Sequence, residues 1–202
     1  MTLTKRAFDI LLALGLGLVL SPFFLVIALL ILIFEGRPVF YISERMKGLS
    51  KPFALVKFRT MTVDQGADSG VSGGDKSARV TRLGHFLRAS RLDETPQLWN
   101  VLKGDMSFVG PRPPLRQYVD RYPDIYAEVL RSRPGITGLA SLYFHKHEER
   151  LLAACTSREE TDSVYSLRCI PRKARLDLIY QRNQTLCLDI NVMVKTVLSK
   201  MS

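Results

Sequence analysis

From Ile10 to Phe34 the chain runs 25 residues without a charge, ILLALGLGLVLSPFFLVIALLILIF, and its only non-apolar marks are two glycines and Ser21-Pro22. A straight helix of that length reaches roughly 37 Å, more than a bilayer's hydrocarbon core. The pattern therefore predicts a membrane helix. Pro22 has no amide hydrogen for the Leu18 carbonyl, and its ring crowds that turn, so a kink is expected there. Ser21 can bond a carbonyl one turn back, which lipid cannot do. Hydropathy alone favours a crossing. A dip that returns to the same face is the alternative, and the run is too long for a cleaved signal. Both flanks are basic, Lys5-Arg6 before and Arg37, Arg45, Lys47 and Lys51 after, so orientation is not signalled by charge.

Beyond the run the periodicity shortens. Val39–Ile42 and Phe53–Val56 read as two short strands around a turn at Lys47–Ser50, a hairpin near the membrane exit. Residues 62–80 are rich in Gly, Ser and Asp and read as a mobile loop. Their Gly73-Gly74 lacks the Gly-Lys-Ser/Thr ending of a phosphate loop. Thr81 opens a helix with Leu83, Phe86 and Leu87 on one face. That helix should falter before Pro96, with Thr95 as N-cap and Pro96 as first residue of a second helix. Leu98, Val101 and Leu102 line the second helix, and Gly104 ends it. Met106–Val109 reads as a strand entering a stiff turn, Gly110-Pro111-Arg112-Pro113-Pro114. A helix is expected over 115–132 with Leu115, Tyr118, Val119 and Tyr122 inward, then an ordered turn over 133–138. Residues 146–182 read as helical in parts. The tail, Leu186–Leu198, spaces Leu186, Ile190, Met193, Val194 and Val197 as an amphipathic helix, able to lie on a bilayer or to pack in the core.

Charge changes the picture. Of the net +10, only +1 falls in residues 1–37, so the basic surplus belongs to the part outside the apolar run. A basic domain tethered to a membrane meets anionic lipid or phosphate-bearing substrates. Nucleic acid is the weaker partner, because aromatic residues do not interleave with the basic ones as a stacking platform requires. Three widely spaced cysteines fit a reducing compartment without zinc. His145 and His147 form an HxH pair, read as an exposed polar stretch beside Lys146 rather than a metal site.

The candidate chemistry lies in Arg88-Ala-Ser-Arg-Leu-Asp93-Glu94-Thr-Pro96. Two adjacent carboxylates stand at an elbow between helices, with arginines a turn earlier. An aspartate is ionised at neutral pH and can attack phosphorus or bind Mg²⁺. Arg88 and Arg112 offer planar guanidinium groups to phosphate oxygens. An isolated Asp-Glu pair more commonly caps a helix and pairs with surface arginines.

The surroundings weigh against that bland reading. The apolar run with Ser21-Pro22, then KFRTM (57–61), LRASRLDETPQLWNVLKGDMSFVGPRPP (87–114) and RPGITGLA (133–140) resemble the small monotopic phosphoglycosyl transferases, the bacterial sugar transferase family, in order and spacing. The resemblance implies an α+β, mostly helical fold. Residues 1–37 would form a re-entrant membrane helix hairpin broken at Ser21-Pro22, and 38–202 a cytoplasmic catalytic domain with a short β-hairpin and interfacial amphipathic helices. It implies transfer of a sugar 1-phosphate from a UDP-sugar to undecaprenyl phosphate with release of UMP, the initiating step of capsule, O-antigen, exopolysaccharide or glycoprotein synthesis. In this scheme Asp93 is the nucleophile that carries a covalent phosphosugar, and Glu94 assists. The pair binds Mg²⁺. Arg88, Arg112, Lys57, Arg59, Pro111 and Pro113 shape the phosphate and nucleotide site, with Asp105 a second-rank candidate. The partners are the UDP-sugar, undecaprenyl phosphate and inner-leaflet lipids at the bacterial inner membrane, facing the cytoplasm, with a homodimer left open and no nucleic acid. Over 141–175 the family pattern thins. The competing reading is a non-catalytic membrane scaffold that binds anionic lipid.

Overall fold

The computed structural model describes residues 2–62 and 78–201, so most of the expected mobile loop lies outside the described residues. The chain opens with one long helix, α1 (Leu3–Phe34), capped by the Thr2 hydroxyl on the Lys5 amide. It is long and apolar enough to cross a membrane. The expected break is not a gap: helical geometry runs through Pro22. The Ser21 hydroxyl donates to the Leu18 carbonyl at 2.8 Å, which is the acceptor proline leaves vacant.

A hairpin follows, β1 (Phe40–Met46) and β2 (Pro52–Phe58), antiparallel with Met46 opposite Pro52, each strand longer than expected. Next come α2 (Arg82–Ser90), a 3₁₀ turn over Leu92–Glu94, and α3 (Gln97–Lys103). Thr81 caps α2 as expected, accepting from the Gly84 amide. Thr95 does not cap α3; its hydroxyl donates instead to Leu92 O, closing the 3₁₀ turn. Phe86 points outward, whereas Leu83 and Leu87 face in.

β3 (Ser107–Val109) pairs in parallel with β4 (Gly135–Thr137), in the segment read as a turn. The two loops that carry these strands lie back to back. A Cβ on Gly110 would stand 2.2 Å from Arg133 O, and one on Gly138 would stand 2.2 Å from Gly110 O. Only glycine permits this approach. The helix expected over 115–132 is two, α4 (Arg116–Arg121) and α5 (Pro123–Val129), because Tyr122 precedes a proline and leaves helical geometry. The remainder is helical: α6 (Leu139–Tyr143), α7 (His145–Ala153), α8 (Arg158–Val164), a π turn over Tyr165–Cys169, α9 (Ile170–Arg182) and α10 (Leu186–Met201).

Both halves of α1 pack on this domain. Ala13 joins Phe53, Leu55, Val101 and Tyr180, while Ile27 and Ile31 join Phe58 and Leu87. Leu11, Leu18, Val19, Leu25 and Ile33 of the same helix remain exposed. On α10, Val192 is buried while Ile190, Val194 and Val197 are open, so much of the apolar face expected from spacing points away from the core.

Candidate active site

The chain reaches the site through a backbone irregularity. Arg91 ends α2 in the left-handed region, at φ 61°, and redirects the chain into the 3₁₀ turn that carries Asp93 and Glu94. A non-glycine residue there costs of order 1–3 kcal/mol and persists when its surroundings impose it. β2 supplies Lys57 from one side. The Gly110–Pro114 turn supplies Arg112 from another.

These elements converge on Glu94. Its Oε1 accepts from Lys57 Nζ at 2.8 Å and from Arg112 at 3.1 Å, and its Oε2 takes a longer contact with Arg91 at 3.4 Å. Burial opposes its charge. Lys57, Arg112 and Arg91 together outweigh that and hold the carboxyl well below its ordinary range.

Asp93 differs. It is 7% exposed, and its Oδ1 has no hydrogen-bond partner among the described residues. Burial pushes this carboxyl up; Lys57, Arg88 and Arg112 pull it down, and Glu94 pushes with burial. Neighbouring carboxylates with opposite shifts are the usual mark of divided chemical labour. Arg88 gives its Nε to Thr60 Oγ1 at 2.9 Å and acts on Asp93 through its charge. Lys57, Arg88, Arg91 and Arg112 outnumber Asp93 and Glu94 by two charges, an arrangement that attracts an anion. Arg112, with 40% of its side chain exposed, gives the cluster an open side.

Pro111 and Pro113 are buried and serve by holding Arg112. Pro111 O accepts from the Gly135 amide at 2.9 Å, and Pro114 O from the Met46 amide at 3.0 Å, so the turn is fastened to β4 and β1. Two candidates are engaged elsewhere. Arg59 donates to the carbonyls of Glu35, Gly36 and Arg37 and ties down the end of α1. Asp105 pairs with Lys47 and Lys103. Ser21 and Pro22 stay within α1. The histidines of the HxH pair go separate ways, His145 toward Glu149 and His147 toward Arg172.

Sequence reasoning missed Arg91 as a partner of Glu94, although their i, i+3 spacing could have signalled it. It also missed Arg45, whose guanidinium reaches Pro113 O and feels repulsion from Arg112. Nothing local in the sequence marks Arg45.

Among the described residues no three His, Cys, Asp or Glu side chains gather as a metal cluster. Asp93 has an unpartnered oxygen and Glu94 Oε2 only a long contact. That pair fits an ion whose other ligands are phosphate oxygens and water.

The profile of the Bacterial sugar transferase family matches residues 1–202. A UDP-glucose:undecaprenyl-phosphate glucose-1-phosphate transferase of Klebsiella pneumoniae is 35% identical over 196 residues, covering 96% of this chain and 39% of its own. A UDP-N-acetylgalactosamine-undecaprenyl-phosphate N-acetylgalactosaminephosphotransferase of Aeromonas hydrophila is 33% identical, covering 96% of this chain and 42% of its own. The chain thus spans about two fifths of these two relatives. The exopolysaccharide production protein PSS of Rhizobium leguminosarum bv. phaseoli is 37% identical and is matched over 95% of its length.

Proposed function

Because this chain belongs to the Bacterial sugar transferase family, we propose that it moves a sugar 1-phosphate from a UDP-sugar to undecaprenyl phosphate, the first step of a bacterial glycoconjugate. The observation that carries this reading is the contrast at Asp93-Glu94: one buried carboxylate with a free oxygen beside one paired with three cations. The activities for which the Klebsiella and Aeromonas relatives are named agree with it.

The chemistry follows from that contrast. The donor diphosphate is drawn to Lys57, Arg88, Arg91 and Arg112. An ionised Asp93 oxygen attacks the phosphorus that bears the sugar. A P–O bond forms to the carboxylate, the bond to the bridging oxygen breaks, and its electron pair leaves on UMP. An oxygen of the acceptor phosphate then attacks the same phosphorus, and Asp93 recovers its carboxylate as the acyl phosphate bond breaks. Positioning and charge neutralisation supply most of the catalysis in such transfers. Glu94 fixes three of the cations. Mg²⁺, held by Asp93, Glu94 and the diphosphate, would add neutralisation of the leaving group.

Topology belongs to the same reading. Arg6 near the start of α1 donates to Val101 and Leu102 carbonyls of α3 at 2.6 and 2.8 Å, and Arg59 of β2 grips the carbonyls just after its end. A helix with both ends fastened to one water-exposed domain enters and leaves the bilayer on one side. We read residues 1–37 as a re-entrant element in which α1, helical through Pro22, bends at that residue, and the rest as a catalytic domain on the cytoplasmic face of the inner membrane. Single cysteines at Thr4 and Arg37, in a Cys187→Ser background, should label from the same side; labelling from opposite sides contradicts it. The activity is tested by UMP release from a panel of UDP-sugars with Mg²⁺ and undecaprenyl phosphate. Release that requires both substrates supports the reading, and none with any donor defeats it.

A further inference from the structure

Two cavities flank α1 at Leu20. One, of about 400 Å³, lies between Gly17, Phe24, Phe40 and Trp99, and no ionisable side chain lines it. The other, of about 350 Å³, begins at Leu16 and Leu20, passes Leu98 and Ile136, and reaches Arg91 and Glu94. α6 and α7 form its further wall through Leu142, His145 and Lys146. Lys146 is exposed, and among the described residues it has no ion-pair or hydrogen-bond partner.

Resting on the reading of the site given above, we propose that this second cavity is the acceptor groove: the first isoprene units of the polyprenyl phosphate lie along Leu16, Leu20, Leu142 and Ile136, and Lys146 with Arg91 holds the phosphate beside Glu94. Three observations choose this occupant. The groove is walled by Leu16 and Leu20 of the apolar run, so a lipid tail lies along the membrane helix without leaving an apolar surface. Its lining includes Arg91 and a free lysine, Lys146, which complement a phosphate monoester. It ends at Glu94, next in sequence to Asp93, where the acceptor oxygen must arrive. The first cavity has the apolar lining but no charge to hold a headgroup.

The test uses the full chain in nanodiscs with a UDP-sugar that the wild type turns over. Lys146→Glu reverses the headgroup contact, and Leu142→Trp fills the apolar half. Each should raise the KM for undecaprenyl phosphate at least tenfold and leave the KM for the UDP-sugar within twofold. A stoichiometric burst of UMP without acceptor, read first on the wild type, separates the two claims. No burst there, although turnover proceeds once acceptor is added, overturns the Asp93 reading and leaves the groove to be decided by the acceptor KM. A normal burst with the acceptor KM unchanged in Lys146→Glu overturns the groove alone and leaves ordinary phospholipid as its occupant. If Leu142→Trp does not fold, Lys146→Glu decides.

Discussion

Two buried ionic clusters can be set side by side. At the foot of α1, Lys5, Asp9 and Asp189 are at most 4% exposed. Lys5 pairs with Asp189, whose other oxygen accepts the Tyr180 hydroxyl, and Asp9 takes the Phe108 amide. At the elbow after α2, Asp93 and Glu94 sit among Lys57, Arg88, Arg91 and Arg112. Each cluster holds a carboxylate oxygen without a partner, Asp9 Oδ2 in one and Asp93 Oδ1 in the other. Burial and an orphaned oxygen therefore do not by themselves mark a site. A surplus of charge and access do. Asp9 also feels the charge of Arg133, so two acids balanced by Lys5 and Arg133 make a sealed, neutral knot that stitches α1 to β3 and α10. Four cations against two acids, open through Arg112, make a place where an anion can enter.

Breaking each cluster should produce different failures. The largest effect belongs to Asp93→Asn, which should lower turnover by about 10⁴-fold or more, as loss of a nucleophile does. Its melting temperature should not fall, because burial outweighs the nearby cations and disfavours this charge in the folded state; kinetics and a thermal scan of one preparation check both. Lys5→Met should do the reverse. Leaving Asp189 and Asp9 without their lysine should cost about 3–5 kcal/mol of stability, read by denaturant unfolding in detergent. The folded fraction should keep its rate per molecule within a few-fold, and Asp189→Leu in the same chain should restore most of the loss. Equal loss of rate in folded Lys5→Met would erase the distinction drawn here.

Smaller changes sharpen the comparison. Arg112→Lys should lower kcat/KM for the donor by about 10–100-fold, since lysine does not reproduce a planar guanidinium shared between Glu94 and a phosphate. The pH profile should show the smallest effect. Asp93 must be ionised to attack, and its pKa is raised, so activity is present above that pKa and lost as pH falls through it, at a higher pH than for an ordinary aspartate of about 3.9. Glu94, held low, stays ionised across that range. Arg88→Met removes a charge that favours ionised Asp93 and should move the acid limb of kcat/KM upward.

What could be read from the chain was whatever is local. The apolar run, the Thr81 cap, the end of α3 at Gly104, the hairpin and the Asp93-Glu94 elbow each depend on neighbours within a few residues. Tyr122-Pro123 was local as well and was overlooked, though the residue before a proline leaves helical geometry for a known reason. The rest depends on distant partners. β3 and β4 are three residues each and pair across the intervening α4 and α5, so no pattern announces them. Arg59 looked like a phosphate ligand beside Lys57. Only the fold shows that it reaches the carbonyls ending α1 while Lys57 turns to Glu94. Asp105 was likewise claimed by Lys47, a residue far from it in sequence.

The most direct measurement is the intact mass of the protein after incubation with Mg²⁺ and its UDP-sugar in the absence of acceptor, followed by peptide mapping. A gain equal to one sugar phosphate, located on Asp93, chased off by undecaprenyl phosphate and absent in Asp93→Asn, is the predicted result. Full turnover by the wild type with no such adduct, or with the adduct on another residue, would contradict the account.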